Sequence, residues 1–84
     1  MKVLIVPSNV DEVGTAAHYL ASRLVISGID ALVQDSKAPD QLSVPVDELA
    51  LVVCMGGDGT FLRAARLVDF APVPMLALNY GTLS

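Results

Sequence analysis

Five consecutive residues, Gly56-Gly57-Asp58-Gly59-Thr60, set a carboxylate in a backbone nearly stripped of side chains. Three of the chain's 6 glycines fall here. Glycine lets a chain turn sharply and lets a phosphate-sized group touch the amides. A helix that starts after such a loop offers unpaired N–H groups and the positive end of its dipole, a natural anion site. Asp58 stands apart from that logic, because a carboxylate beside a phosphate repels it. Its chemistry fits a general base, or a ligand for a phosphate-bound Mg²⁺. The generic alternative is a strand-to-helix turn in which Asp58 caps the helix, since Gly, Asp and Thr favour such turns.

The loop is not G-x-x-x-x-G-K-[ST], and the only lysines are Lys2 and Lys37. Nor is it G-x-G-x-x-G, because Phe61 and Leu62 follow Thr60. Ordinary P-loop nucleotide hydrolases and the dinucleotide fingerprint are therefore disfavoured. Other candidates are bland. His18 neighbours an apolar helix stripe and has no partner at metal-ligand spacing, so it reads as a surface or half-buried histidine. Cys54 ends an apolar run with no base near it in sequence, so it reads as a packed core thiol. No metal-ligating set is assigned.

The elements that must position the loop follow from pattern. Lys2–Val6 is a continuous β-branched run stopped by Pro7, the signature of a strand buried on both faces. Asn9 with Glu12 three residues on suggests a capped helix start. Val13, Ala17, Leu20 and Leu24 mark one helix face, and Gly28 is a natural stop. Ile29–Gln34 reads as a second strand, and Asp35–Asp47, with Pro39 and Pro45, as a loop. Glu48–Cys54 reads as a central strand. Thr60–Asp69 reads as a second helix with Phe61, Leu62, Ala65 and Val68 inward and Arg66 and Asp69 outward. Met75–Leu78 is a fourth strand, leaving through Asn79-Tyr80-Gly81. The order β-α-β-β-α-β predicts an α/β fold, a Rossmann-like layered sandwich with a mainly parallel sheet, over one domain, residues 1–84. Ligands of such sheets bind at the carboxyl ends of the strands. Both glycine-bearing loops, Gly56–Thr60 and Asn79–Thr82, lie there.

Composition removes several classes. The net charge is −4, which argues against a general nucleic-acid surface. No apolar run approaches the ~20 residues of a membrane-spanning helix, and the start lacks the form of a secretory signal. A single cysteine favours a reducing compartment, so a cytoplasmic location is expected. Apolar residues make up 54% and charged residues 17% of the chain, an apolar balance for so small a domain.

The segment Val53-Cys54-Met55-Gly56-Gly57-Asp58-Gly59-Thr60-Phe61-Leu62-Arg63-Ala64-Ala65-Arg66 closely resembles the signature segment of the NAD kinases. Val73-Pro74-Met75-Leu76-Ala77-Leu78-Asn79-Tyr80-Gly81-Thr82-Leu83 resembles their second motif, a strand running into N-x-G-x-L. The first half of the chain fits by element order. The glycine core alone is shared with diacylglycerol kinases, sphingosine kinases and phosphofructokinases. The Phe-Leu-Arg-Ala-Ala extension and the Asn79 segment point to NAD kinase.

The resemblance implies a nucleotide-binding N-terminal domain of the NAD kinase and diacylglycerol kinase-like fold. The implied reaction moves a phosphoryl group from ATP, or inorganic polyphosphate, to the 2′-hydroxyl of the adenosine ribose of NAD, making NADP. Mg²⁺ or another divalent cation would accompany the donor. Asp58 matches the catalytic aspartate that takes the proton from the 2′-hydroxyl. Gly57 and Gly59 match the loop lining the phosphate and ribose region. Arg63 matches a position that can reach the dinucleotide. Placed in the first turn of the helix, where a cation and the dipole are mismatched, it would face an anionic ligand, the alternative being a solvated surface arginine. Asn79 and Gly81 match the second motif. That motif usually continues Gly-Phe after the leucine, whereas Ser84 follows Leu83 here. A later Asn-Glu/Asp motif and a mostly β domain are not in the chain, so 84 residues reads as a truncation. The expectation is a piece inactive by itself, with an apolar surface left bare, from a protein that forms homodimers or homotetramers largely through the β domain. Two other readings are a lipid-kinase catalytic lobe and a non-catalytic α/β module that binds a nucleotide or a partner protein.

Overall fold

The computed structural model describes residues 1–35, 37, 38 and 40–79. Four strands and two helices alternate as expected. These are β1 (Lys2–Pro7), α1 (Asp11–Ile26), β2 (Ala31–Val33), β3 (Leu49–Gly56), α2 (Asp58–Leu67) and β4 (Met75–Asn79), with a 3-10 turn at Val46–Glu48. The strands form one parallel sheet in the order β2-β1-β3-β4. The chain steps from β1 to one side and returns to the other, so the order reverses between β1 and β3. Such a switch point opens a crevice at the carboxyl ends of the strands.

Period-two alternation along the strands feeds two cores. Leu4, Val6, Val52 and Cys54 face α2 and pack with Ala64 and Val68. Ile5, Val53 and Met55 face the other way and pack with Val13 and Ala17 of α1. With a helix on each face, β1 and β3 are buried on both sides, which is why they read as unbroken apolar runs. Leu4 and Ile5 are fully buried, each worth about 1.5–3 kcal/mol against exposure.

Several expectations need correction. Asn9 does not cap α1: the N-cap is Val10, extended and without a side-chain hydrogen bond. The Val10 carbonyl accepts from both Val13 and Gly14, so the first turn closes one residue beyond Asn9. Asp11 and Glu12 still occupy the first turn, where the dipole favours them. β2 pairs only over Ala31–Val33, shorter than the apolar pattern suggests. Helix α2 starts at Asp58, inside the glycine motif, and ends at Leu67. Asp58 is therefore its first residue and Gly57 its N-cap, with no side-chain capping bond. Ala64, Ala65 and Val68 are buried, whereas Phe61 and Leu62 are 41% and 45% exposed. The first turn of α2 belongs to the loop at the sheet's end, so the packed stripe begins one turn later than the apolar letters suggest. Asn79 closes β4 as a strand residue and does not begin the loop.

Other readings hold. Gly28 takes a positive φ of 88°. Its N–H donates to the Val25 carbonyl and that of Ile29 to the Leu24 carbonyl. This is a Schellman stop, and glycine is the residue that enters it without strain. At the amino end of the sheet Lys2 Nζ sits 2.8 Å from Asp30 Oδ2. That hydrogen bond raises the Lys2 pKa and lowers that of Asp30, but the pair is solvated and adds little stability. Cys54 is buried and reduced, and burial pushes its thiol up to about 11. No described helix is long and apolar enough to cross a membrane.

Candidate functional site

The three loop glycines separate by what a Cβ would meet. At Gly56 it would press on Thr60 Oγ1 and lie 3.0 Å from Ser8 Cβ and Thr60 Cβ. Gly56 is thus fixed by the fold, where β3, the segment after β1 and α2 converge. At Gly57 and Gly59 a Cβ would meet nothing within 4 Å. Both residues are exposed, as is Asp58 between them. The protein leaves open the space these glycines leave open, as a surface meant to approach a ligand would.

Asn79 pairs with Gly56 across the β3–β4 ladder. Of the residues singled out from sequence, Gly57, Asp58, Gly59 and Asn79 therefore meet along one carboxyl edge. Gly81 lies outside the described residues. Arg63 is placed differently from expectation. It is in the second turn of α2, past the reach of the helix-end dipole. Its Nη2 donates to the Pro7 carbonyl at 2.6 Å, linking positions 56 apart in sequence. Its Nε is buried without a hydrogen-bond partner.

A cleft of about 530 Å³ opens beside this edge at the carboxyl end of β1. Ser8, Asn9, Gly14, His18, Asp35 and Arg63 are among its lining residues. Sequence reasoning assigned a site role only to Arg63 of these. The remaining signal was weak: a glycine at position 14 early in a helix, and loops at β1 and β2 whose adjacency depends on strand order. A smaller cleft of about 230 Å³ runs along α2 past Gly59, Leu62, Arg63 and Arg66. Arg63 lines both.

Gln34 shapes the far wall. It is a buried polar residue, 5% exposed. Its Nε2 donates to the Ala38 carbonyl at 3.1 Å and the Gln41 carbonyl at 2.7 Å. Its Oε1 accepts from the Ser43 amide at 3.2 Å and the Ser43 hydroxyl at 3.0 Å. All four positions of the amide are used, so one side chain organises the loop after β2.

Among the described residues no three His, Cys, Asp or Glu side chains gather as a metal cage. A lone exposed Asp58 fits a cation carried in on phosphates, since Mg²⁺ commonly takes one or two carboxylates together with phosphate oxygens and water.

A doubly covered parallel sheet with a glycine loop at its carboxyl edge defines a Rossmann-like α/β domain. The ATP-NAD kinase N-terminal domain matches residues 39–84. An NAD kinase of Bifidobacterium longum (strain DJO10A) is 36% identical over 83 residues, covering 94% of this chain and 24% of that protein. An NAD kinase of Leifsonia xyli subsp. xyli is 58% identical over 38 residues, covering 45% of this chain and 12% of that protein. One of Bdellovibrio bacteriovorus is 53% identical over 38 residues, with the same coverage. The chain belongs to the NAD kinase family. It spans about a quarter of the length of the relatives it matches along most of its sequence.

Proposed function

We propose that this chain forms the catalytic-loop domain of an enzyme that phosphorylates NAD at the 2′-hydroxyl of its adenosine ribose, yielding NADP. The observation that carries the reading is the pair of open glycines, Gly57 and Gly59, flanking an exposed carboxylate at the first residue of α2. The family relationship supplies the substrate class.

In this reading Gly57 and Gly59 let the ribose and phosphates approach the backbone. Asp58 accepts the proton of the 2′-hydroxyl as that oxygen attacks the terminal phosphorus of ATP or inorganic polyphosphate, and the bond from that phosphorus to its bridging oxygen breaks to release ADP or the shortened polyphosphate. Phosphoryl transfer asks little covalent chemistry of the protein, so holding acceptor and donor in line is most of the task. A divalent cation bound with the donor supplies charge neutralisation. Asn79 and Gly81 hold the dinucleotide from the neighbouring strand's end. The activity belongs to a protein of the relatives' full length, working in the cytoplasm as a homodimer or homotetramer, and the 84-residue stretch alone is inactive.

The test supplies a full-length protein carrying this domain with ATP or polyphosphate, Mg²⁺, and either NAD or diacylglycerol vesicles. Formation of NADP with no phosphatidic acid is expected. Phosphorylated lipid without NADP would replace this reading with the lipid-kinase one. Neither product with either donor would leave a binding module.

A further inference from the structure

We propose that Arg63 is a positioning residue. Its guanidinium sets where the segment after β1 stands against the glycine-rich loop, and it acts on the reaction through Pro7 without touching a ligand.

Strand parity decides where the Pro7 carbonyl points. Val3 donates its N–H to Asp30, and Gln34 donates to the Ile5 carbonyl, so odd-numbered β1 residues face β2. Ser8 donates to the Met55 carbonyl at 2.8 Å, so even-numbered ones face β3. Pro7 faces the β2 side, and β2 has already ended at Val33. Proline has no N–H to offer on that side, which suits a strand end where the ladder with β2 stops. Its carbonyl accepts from Arg63 Nη2.

That bond spans the switch point. It ties α2 to the end of β1, one residue before Ser8, whose Cβ stands 3.0 Å from the place a Gly56 Cβ would occupy. Pro7, Ser8, Gly56, Thr60 and Arg63 thus interlock, and Arg63 forms the wall shared by the two clefts. Its Nε is already enclosed, and among the described residues it makes no ion pair. A guanidinium held in this way fixes a backbone more than it offers a charge. Lysine, a compact point charge on a flexible stem, would not reproduce the planar reach.

The kinetic part of this proposal rests on the NAD kinase reading, and the structural part does not. Amide hydrogen exchange of the full chain without nucleotide decides the structural part, using Arg63→Met and Arg63→Lys. In both variants the Ser8, Val13 and Gly14 amides should exchange about tenfold faster. The Val52 amide, bonded to the Pro74 carbonyl on the far side of the sheet, should keep its rate. Unchanged exchange at Ser8 in both variants would overturn the proposal.

In a protein of the relatives' full length, both variants should lose about tenfold or more in kcat for NAD phosphorylation, with KM for NAD within about threefold. A lysine variant that restores kcat, or a loss confined to KM, would put the charge on the ligand and overturn the proposal. If the unaltered protein does not phosphorylate NAD, the functional reading fails, and the exchange result still decides the role of Arg63.

Discussion

Asn79 lies opposite Gly56 in the β3–β4 ladder, so the two motif segments leave neighbouring parallel strands at the same edge of the sheet. Their separation in sequence is bridged by α2, which returns the chain over one face to start β4 beside β3. This pairing places Asn79, the last residue of β4, at the edge where Gly57 and Gly59 lie open.

The glycines should respond differently to alanine. Gly56→Ala drives a methyl group into Thr60 and Ser8. It should cost about 1–3 kcal/mol of stability, read from urea midpoints. Gly59→Ala fills open space on a helix. It should stabilise the chain by about 0.5–1 kcal/mol, while lowering NAD phosphorylation in the full-length protein. A Gly59→Ala variant that is both more stable and fully active would show that the open space serves no ligand.

The two helix ends make a matched pair. Asp69 occupies in α2 the place that Gly28 holds in α1. Its N–H donates to the Arg66 carbonyl and that of Phe70 to the Ala65 carbonyl, with φ of 53° at Asp69. The left-handed region disfavours residues with a Cβ by roughly 1–2 kcal/mol. Asp69→Gly should therefore stabilise by about 1 kcal/mol and Gly28→Asp destabilise by a similar amount. A destabilised Asp69→Gly variant would reveal contacts of the Asp69 carboxylate that outweigh the strain.

Cys54 gives the chain an alkaline weakness. Burial raises its thiol from an ordinary 9.0 to about 11. The unfolded chain then loses this proton before the folded one does. Stability from this source is full below pH 9 and falls as pH rises toward 11, by on the order of 2 kcal/mol. Urea midpoints from pH 8 to 11 should show the decline, and Cys54→Ala should remove it while lowering the plateau. The folded chain should also resist thiol alkylation at pH 8. Rapid alkylation without unfolding would contradict the buried placement.

Much of this fold is written in local chemistry. The unbroken apolar runs of β1 and β3, the α1 stripe and the Gly28 stop are each decided by nearest neighbours in sequence. The glycine-Asp-glycine loop is legible for the same reason, since its composition has few other uses. The cleft beside β1 is not local. It depends on β2 and β3 flanking β1, which no short pattern encodes, and on Gln34 spending all its hydrogen bonds on a loop. Arg63 shows the limit clearly. Its place in the motif and near the helix start suggested an anionic ligand, whereas its bond to the Pro7 carbonyl, 56 positions away, depends on tertiary packing that no local pattern encodes.

In the proposed reaction Asp58 serves as the base for phosphoryl transfer to NAD. The most direct measurement is NADP formation by a full-length protein carrying Asp58→Asn, which keeps the side-chain shape and removes the charge. Turnover should fall about 100-fold or more, while stability falls by no more than the roughly 0.3–1 kcal/mol that a first-turn carboxylate contributes, because the exposed Asp58 makes no capping bond. Near-normal turnover by Asp58→Asn would rule out Asp58 as the base.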